Sequence, residues 1–204
     1  MRLIVVGCEY AGTSTFMKNL KAWGLKHHTR FHVDDHLLMP DAHFGLTDED
    51  RRALLSLGPE LKERYQRFMM YYHALYVCQV NTDIVFEGFH IAEKVYGPLY
   101  FGYQPHLNDL EMKLPPDVML LLLKASPEVI QKRMEADPHK FQIIKKEDIP
   151  LVSKRFEEEY NNSILYKRLT IDTSNLSPEE VFQKFLSEVT IYLELSDLYK
   201  VMNK

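Results

Sequence analysis

Short apolar runs alternate along this chain with longer segments in which apolar residues recur at helical spacing. Residues 3–6 and 118–123 are continuously apolar, which is typical of strands buried on both faces of a parallel sheet. Three shorter apolar runs each end at or beside an acidic residue. The pattern predicts strands over residues 3–6, 31–33, 83–86, 118–123 and 169–172.

Residues that favour helix ends mark the segments between these strands. Thr47 stands before three acidic residues, and Ser126 and Ser177 each stand before a proline, which are typical helix starts. Gly24 and Gly58 are expected to end the first two helices. The predicted helices cover residues 13–23, 48–57, 60–80, 127–136, 146–161 and the segment after 177. Residues 91–103 are predicted to be irregular and residues 137–144 to be a loop.

Strands that alternate with helices predict a parallel sheet with helices on both faces. We therefore expect a three-layer α/β/α fold built on five parallel strands. No linker or repeat divides the 204 residues, which predicts a single domain over residues 1–204. Ligands of such sheets bind beyond the carboxyl ends of the strands, so the residues to examine for function are those that follow each strand.

Composition narrows the class of protein further. Hydrophobic residues are 46% and charged residues 26% of the chain, as in ordinary globular domains, and the net charge of −4 disfavours a protein that coats nucleic acid. Two cysteines cannot build a disulfide scaffold or a cysteine zinc site. The apolar runs are too short for a secretory signal or a membrane span. We therefore expect a cytoplasmic protein with no membrane attachment.

The segment after the first strand carries the clearest chemical signal. Gly7 and Gly12 stand five positions apart, and Ser14 follows at the place of the hydroxyl that reaches Mg²⁺ in phosphate-binding loops of the form G-x-x-x-x-G-K-[ST]. Such a loop turns its amides towards phosphate, and the helix after it adds a positive dipole. The candidate phosphate contacts in this phosphate loop (residues 7–15) are Gly7, Glu9, Tyr10, Ala11, Gly12, Thr13, Ser14 and Thr15.

The phosphate loop lacks its usual lysine, because Thr13 stands at that position. Phosphoryl transfer depends on positioning and on charge stabilisation, so the missing cation matters for catalysis more than for binding. Another basic side chain could supply the charge. Arg133 is the first candidate, and Lys145, Lys146 and Arg155 follow.

The order and spacing of several segments resemble the nucleoside and nucleoside-monophosphate kinases, especially the group of deoxynucleoside kinases and thymidylate kinases. The segments that carry the resemblance are residues 7–15, 84–87, 93–98, 118–122, 126–133, 171–174 and 177–181. The resemblance spans most of the chain. It implies a P-loop NTPase fold and a reaction that uses ATP and Mg²⁺.

The resemblance also implies roles for individual residues. Asp34 or Asp35 matches the acid that accepts a proton from the acceptor hydroxyl, and Glu87 matches an acid that handles Mg²⁺ with Ser14. Gly88 stands where the family has an arginine. Arg133 would anchor an arginine-bearing lid, placed at about residues 134–147. Thr173 and Ser174 match the loop on the adenine side of the nucleotide.

An acceptor site is predicted around the long helix and the strand ends. Gln66 matches, by the same resemblance, a glutamine that reads a base. Aromatic residues that could close the same pocket include Phe44 and Tyr96, and His36 beside the aspartates is a candidate contact to a phosphate or a ribose hydroxyl.

Three functions fit these residues. The first is an ATP- and Mg²⁺-dependent kinase acting on a nucleoside, a nucleotide or a similar small acceptor. The second is a nucleotide-binding pseudoenzyme without turnover, which explains Thr13 and Gly88 directly. The third is a polynucleotide-end kinase, which the acidic net charge disfavours. The sequence leaves a homodimer open.

Overall fold

The computed structural model describes residues 1–27, 47–79, 83–193 and 202, together with the backbone of residues 32–34. Five parallel strands form one sheet in the order β2-β3-β1-β4-β5. The strands are β1 (Arg2–Val6), β2 (His32–Asp34), β3 (Ile84–Glu87), β4 (Met119–Lys124) and β5 (Lys167–Asp172). This confirms the predicted five-stranded parallel sheet.

Helices occupy most of the chain between the strands. The α-helices are α1 (Thr13–Lys26), α2 (Asp48–Leu55), α3 (Pro59–Gln79), α4 (Phe89–Tyr96), α5 (Pro127–Ala136), α6 (Ile149–Asn162) and α7 (Pro178–Val189). A π-helical turn (Gly97–Phe101) continues α4, and short 3-10 turns lie at Glu111–Lys113, Lys146–Asp148 and Thr190–Tyr192. No helix in the described part of the chain is long and apolar enough to cross a membrane.

Alternate residues of the central strands face two separate apolar cores. In β1, Leu3 and Val5 pack with residues of α1 and α7, whereas Ile4 and Val6 pack with residues of α3, α4 and α6. Successive side chains of a strand point to opposite faces, so a continuously apolar strand needs helices on both sides. The arrangement confirms the three-layer α/β/α fold.

Two predictions about local structure were wrong. Helix α1 continues past Gly24 to Lys26, because Gly24 is buried in the helix interior and packing there outweighs the low helix propensity of glycine. Residues 91–103 are largely helical, because Ile91 and Val95 recur at helical spacing and lie on the buried face of α4. Pro98 lies at the start of the π-helical turn, where a missing amide is tolerated.

Candidate functional site

The phosphate loop is a tight bend between β1 and α1. A side chain at Gly7 would place its Cβ 2.4 Å from the backbone oxygen of Leu123, so only glycine fits there. Gly12 has a φ of 105° just before α1, and Tyr10 has a φ of 68°. Positive φ values of this kind turn the chain sharply and favour glycine. The bend therefore has the form that the sequence pattern predicts.

One cleft of about 680 Å³ opens at the carboxyl ends of the strands, beside the phosphate loop. The predicted site residues that line it are Gly7, Glu9, Tyr10, Gly12, Thr13, Ser14, Thr15, Gln66, Glu87, Tyr96, Arg133 and Thr173. Ala11 is buried beneath the loop, and the Ser174 hydroxyl instead binds the Ser126 amide and the Asp172 carboxylate. Asp35, His36 and Phe44 lie outside the described residues.

The side chains of Ser14 and Glu87 meet at the end of the sheet. The Ser14 hydroxyl donates a hydrogen bond to Glu87 Oε1 at 2.9 Å. Sheet register explains the meeting, since Glu87 pairs with Val5 at the end of β1. A hydroxyl and a carboxylate are the hard oxygen ligands that Mg²⁺ prefers, and one or two of them suffice when phosphates and waters complete its coordination. The pair therefore fits the predicted metal contact.

The second strand ends next to this pair. Asp34 is the last residue of β2, and its backbone pairs with Phe86, the residue before Glu87. The side chain of Asp34 is outside the described part of the structure. The topology therefore brings the backbone of one predicted acceptor-side acid to the same edge of the sheet as Glu87.

Arg133 lines the cleft, but its guanidinium is hydrogen-bonded to the protein backbone and to the Thr173 hydroxyl. Its guanidinium donates to Tyr10 O at 3.0 Å and to Thr173 O at 2.8 Å. Thr173 in turn donates from Oγ1 to Ala11 O at 2.8 Å. These contacts join α5, the segment after β5 and the phosphate loop, so Arg133 supports the shape of the loop from behind.

The other basic residues proposed as substitutes for the lysine are engaged or distant. Lys146 pairs with Glu135 at 2.7 Å and Arg155 with Glu158 at 3.4 Å, both on the surface. Lys145 is exposed and does not line the cleft. Two cations with no predicted role, Arg51 of α2 and Lys62 of α3, do line it.

The far end of the cleft, between α3 and α4, contains a buried polar cluster. Lys62 Nζ donates to Leu55 O at 2.7 Å and lies 4.3 Å from the centre of the Phe101 ring. Glu93 accepts a hydrogen bond from the Tyr103 hydroxyl, and burial raises its pKa to about 7 even though that bond and Lys62 oppose the shift. A carboxyl group in this state changes charge near neutral pH.

Gln66 belongs to the same cluster. Its side chain is buried, and its Oε1 atom has no hydrogen-bond partner among the residues that the structure describes. A buried polar atom without a partner costs free energy, and a ligand in the cleft that donates a hydrogen bond would remove that cost.

Comparison with solved structures places this geometry among known folds. YorR protein from Bacillus subtilis, in complex with phosphorylated GDP, matches 94% of this chain and 99% of its own with a TM-score of 0.62 and 18% identity. Thymidylate kinase from Candida albicans matches 93% and 91% with a TM-score of 0.60 and 14% identity. Deoxyadenosine kinase from M. mycoides with bound dATP matches 93% and 99% with a TM-score of 0.58 and 15% identity.

The chain has the fold of the P-loop nucleoside and nucleotide kinases. This confirms the resemblance at the level of fold. No protein-family model matches the sequence, and no curated protein matches it either.

Within this kinase fold, the backbone explains one of the two departures from the expected motif. Gly88 has a φ of 76°, and a Cβ at that position would lie 3.0 Å from the Ala92 Cβ. An arginine would be strained there, so the local backbone conformation favours glycine at this position. At Thr13, the structure shows no backbone strain or close contact with a described residue that would explain the absence of lysine.

The sequence contains a weak signal for a functional residue that was not predicted, Lys62. Lys62 and Glu63 are charged residues on the buried face of α3, which also carries the predicted Gln66 and is mainly apolar. A polar interruption at helical spacing on a buried face indicates either a structural ion pair or a binding site. Only tertiary contact with α4 shows that Lys62 and Gln66 reach the same cleft as Glu93.

Proposed function

We propose that this protein is a phosphotransferase that moves a phosphoryl group from ATP to a nucleoside, a nucleotide or a similar small acceptor. The observation that carries the proposal is the hydrogen bond between Ser14 and Glu87 at the mouth of the phosphate loop. It brings together, in one cleft, a loop shaped for phosphates and an oxygen pair suited to Mg²⁺.

The phosphate end of the cleft would hold the donor. Loop amides from Glu9 to Thr15 and the start of α1 would bind the phosphates, while Arg133 and Thr173 keep the loop in shape. Ser14 and Glu87 would hold Mg²⁺, which neutralises charge on the phosphates when it is bound. The adenine would lie towards Thr173, and residues 134–147 would act as the lid.

The acceptor would lie between α3 and α4. Gln66 offers an acceptor atom that has no partner among the described residues, and Lys62 and Glu93 offer a buried donor and a carboxyl group in the same cleft. Asp34 or Asp35 would orient the attacking hydroxyl, which is the main task of such an acid in a loose transition state. His36, Phe44 and Tyr96 remain predicted contacts to the acceptor.

A specific observation favours a second function, a nucleotide-binding pseudoenzyme. Thr13 supplies no charge to the phosphates, and Arg133 donates to backbone carbonyls. The described phosphate end therefore has few cations to stabilise a transition state, although a neutral cradle of amides can still bind a nucleotide. The homodimer, the single-domain boundaries and the cytoplasmic location stay predictions from the sequence.

A transfer assay separates the two functions. Labelled ATP with Mg²⁺ is offered with a panel of nucleosides and nucleoside monophosphates, and thermal stabilisation by Mg²⁺-ATP is measured in parallel. Transfer that Glu87→Gln abolishes and Glu157→Gln leaves intact supports the kinase, since Glu157 is exposed on α6 and outside the cleft. Stabilisation without transfer supports the pseudoenzyme. If the protein shows neither transfer nor stabilisation, both functions are contradicted.

Restoring the lysine is a second test of the site. Thr13→Lys is expected to tighten Mg²⁺-ATP binding roughly tenfold, because a charge-assisted hydrogen bond to phosphate contributes about 1.5–3 kcal/mol. Isothermal titration calorimetry measures the change. Ala22→Lys adds the same charge on an exposed face of α1 and should change affinity little. Equal effects of the two substitutions would contradict the assignment of Thr13 to the phosphate site.

A further inference from the structure

The segment between α5 and the next 3-10 turn, residues 137–145, forms one wall of the cleft. His139, Phe141 and Ile143 line the cleft, yet Ile144 is the only residue of this segment that is buried. A segment with so little buried apolar surface has low local stability and depends on polar contacts to stay in place.

The first of these contacts comes from Tyr10 of the phosphate loop. Its hydroxyl donates to Gln142 Oε1 at 2.6 Å and accepts from the His139 amide at 2.9 Å. Its ring also stacks on the imidazole of His139, with the ring centres 4.1 Å apart and the planes at 21°. One side chain of the phosphate loop thus binds both the start and the middle of the segment.

The second contact comes from Glu9, the neighbouring residue of the phosphate loop. Its carboxylate accepts hydrogen bonds from the amides of Ile143 and Ile144, each at 3.2 Å. Consecutive amides that point to one place form an anion-binding site, and here the anion is part of the protein. Burial raises the pKa of Glu9, while the two amides lower it.

The backbone of the phosphate loop aims these two side chains. Tyr10 has a φ of 68°, an uncommon value for a residue with a side chain, and Arg133 holds its carbonyl oxygen at 3.0 Å. Strained backbone of this kind persists where surrounding contacts enforce it. The same bend that would cradle phosphates therefore also directs Glu9 and Tyr10 onto the segment above.

We propose that Glu9 and Tyr10 form a latch that holds residues 137–145 closed over the cleft when no nucleotide is bound. Release of the latch then limits how fast a nucleotide enters and leaves. The kinetic part of this inference rests on the proposed function, whereas the closure itself rests on the contacts alone. A third contact, the ion pair of Lys140 with Asp48, connects the same segment to α2.

Hydrogen exchange of the nucleotide-free protein tests the closure. The amides of residues 139, 143 and 144 are expected to exchange slowly, and Glu9→Gln and Tyr10→Phe should each speed them by roughly tenfold, as expected for loss of hydrogen bonds of this strength. Gln142→Ala provides a variant outside the phosphate loop that should act on the same amides. Glu157→Gln removes an exposed carboxylate of α6 away from the segment and should leave them unchanged.

Coupling between two variants sharpens this test. Tyr10→Phe and Gln142→Ala both remove the same hydrogen bond, so their combined effect on exchange should be smaller than the product of their separate effects. The latch is overturned if none of the latch variants speeds exchange, or if Glu157→Gln speeds it to the same extent.

Nucleotide kinetics test the consequence. In stopped flow with a fluorescent ATP analogue and Mg²⁺, Gln142→Ala should raise both the association and the dissociation rate constants roughly threefold or more, with a smaller change in Kd. Faster exchange with no detectable nucleotide binding supports the closure and contradicts the proposed function. Nucleotide binding with unchanged rates in Gln142→Ala supports the proposed function and overturns the latch as a gate.

Discussion

Gly7 illustrates how single residues set the geometry of the candidate site. It is the first residue after β1, and its neighbour across the bend is a backbone oxygen of β4 that cannot move without disturbing the sheet. The sequence pattern marked Gly7 because phosphate loops begin with glycine. The structure adds the reason, which is the close approach of Leu123.

Gly7→Ala should therefore destabilise the protein. The added methyl would meet the Leu123 oxygen at 2.4 Å, and the forced shift is expected to lower the free energy of unfolding by about 1–3 kcal/mol. Urea unfolding measures the change. Gly58→Ala is the matched control, since no described residue other than its chain neighbours has an atom within 4 Å of its Cβ position. A loss of stability in Gly58→Ala alone would contradict this account.

Other residues could be assigned by sequence in type and not in role. Arg133 was predicted as a cation for phosphate, and it does reach the phosphate loop, but it contacts the carbonyl of Tyr10. Lys62 and Glu93 drew no prediction because charged residues on helices are usually solvent-exposed. Which partner a long side chain meets depends on elements distant in sequence.

At the level of elements, the helices that begin with a strong cap were predicted best. Helix α7 begins at Pro178 after Ser177, as predicted, and the Ser177 and Glu180 side chains bind each other's amides in a capping box. The helix then buries Val181 and Phe185 against α1. The capping residues determine where the helix begins, and its starting point determines which side chains face α1.

Removal of this cap should have a measurable cost. Ser177→Ala leaves the Glu180 amide without its partner at the start of α7, so the free energy of unfolding should fall by about 1 kcal/mol. Thermal or urea unfolding checks this. Ser187→Ala, on the exposed face of the same helix, should be neutral or slightly stabilising. The role of the cap would be refuted if the two variants behaved alike.

The segment after β3 shows the opposite case. Gly97 and Pro98 are ordinary signs of a break, yet α4 runs directly into a π-helical turn at this point. Gly97 packs against Tyr103, where a Cβ would lie 3.0 Å from the ring. The close approach of the Tyr103 ring leaves little room for a side chain at Gly97. A prediction from local sequence instead takes a glycine before a proline as the sign of a turn.

For the molecule as a whole, two buried carboxyl groups have pKa values shifted in opposite directions. Burial would raise the pKa of Glu111, but hydrogen bonds from His90 and the Ile164 amide outweigh it and lower the value to about 2. Burial raises the pKa of Glu93 from 4.5 to about 7. Each shift couples the stability of the fold to pH.

These shifts predict two separate windows in the pH dependence of stability. The stabilisation by Glu111 is present above pH 4.5 and is lost as pH falls towards 2, because the unfolded chain takes up the proton first. The contribution of Glu93 has the opposite sign: it is present below pH 4.5 and is lost as pH rises through 7. Each effect should amount to about 3 kcal/mol.

Urea unfolding between pH 2 and 8 distinguishes the two groups. Glu111→Gln should flatten the profile below pH 4.5, and Glu93→Gln should flatten it between pH 4.5 and 7. Glu147→Gln, at an exposed position, should leave the profile unchanged. A flattening on the wrong side for either variant would contradict the assigned shift.

The sequence by itself determined the succession of strands and helices along the chain, the parallel sheet and the position of the phosphate loop. These follow from local properties: apolar runs, helix caps, and two glycines at fixed spacing. Such features act over a few residues, so the linear chain already contains them.

The tertiary structure alone decided which side chains meet. It joined Ser14 to Glu87 across two strands, placed Lys62 and Gln66 of α3 in one cleft with Glu93 of α4, and set Glu9 and Tyr10 against residues 137–145. These contacts connect positions separated by tens of residues or more, and their partners are fixed by sheet register and helix packing. The register cannot be predicted from any short stretch of sequence, because it is set only when distant strands and helices pack together.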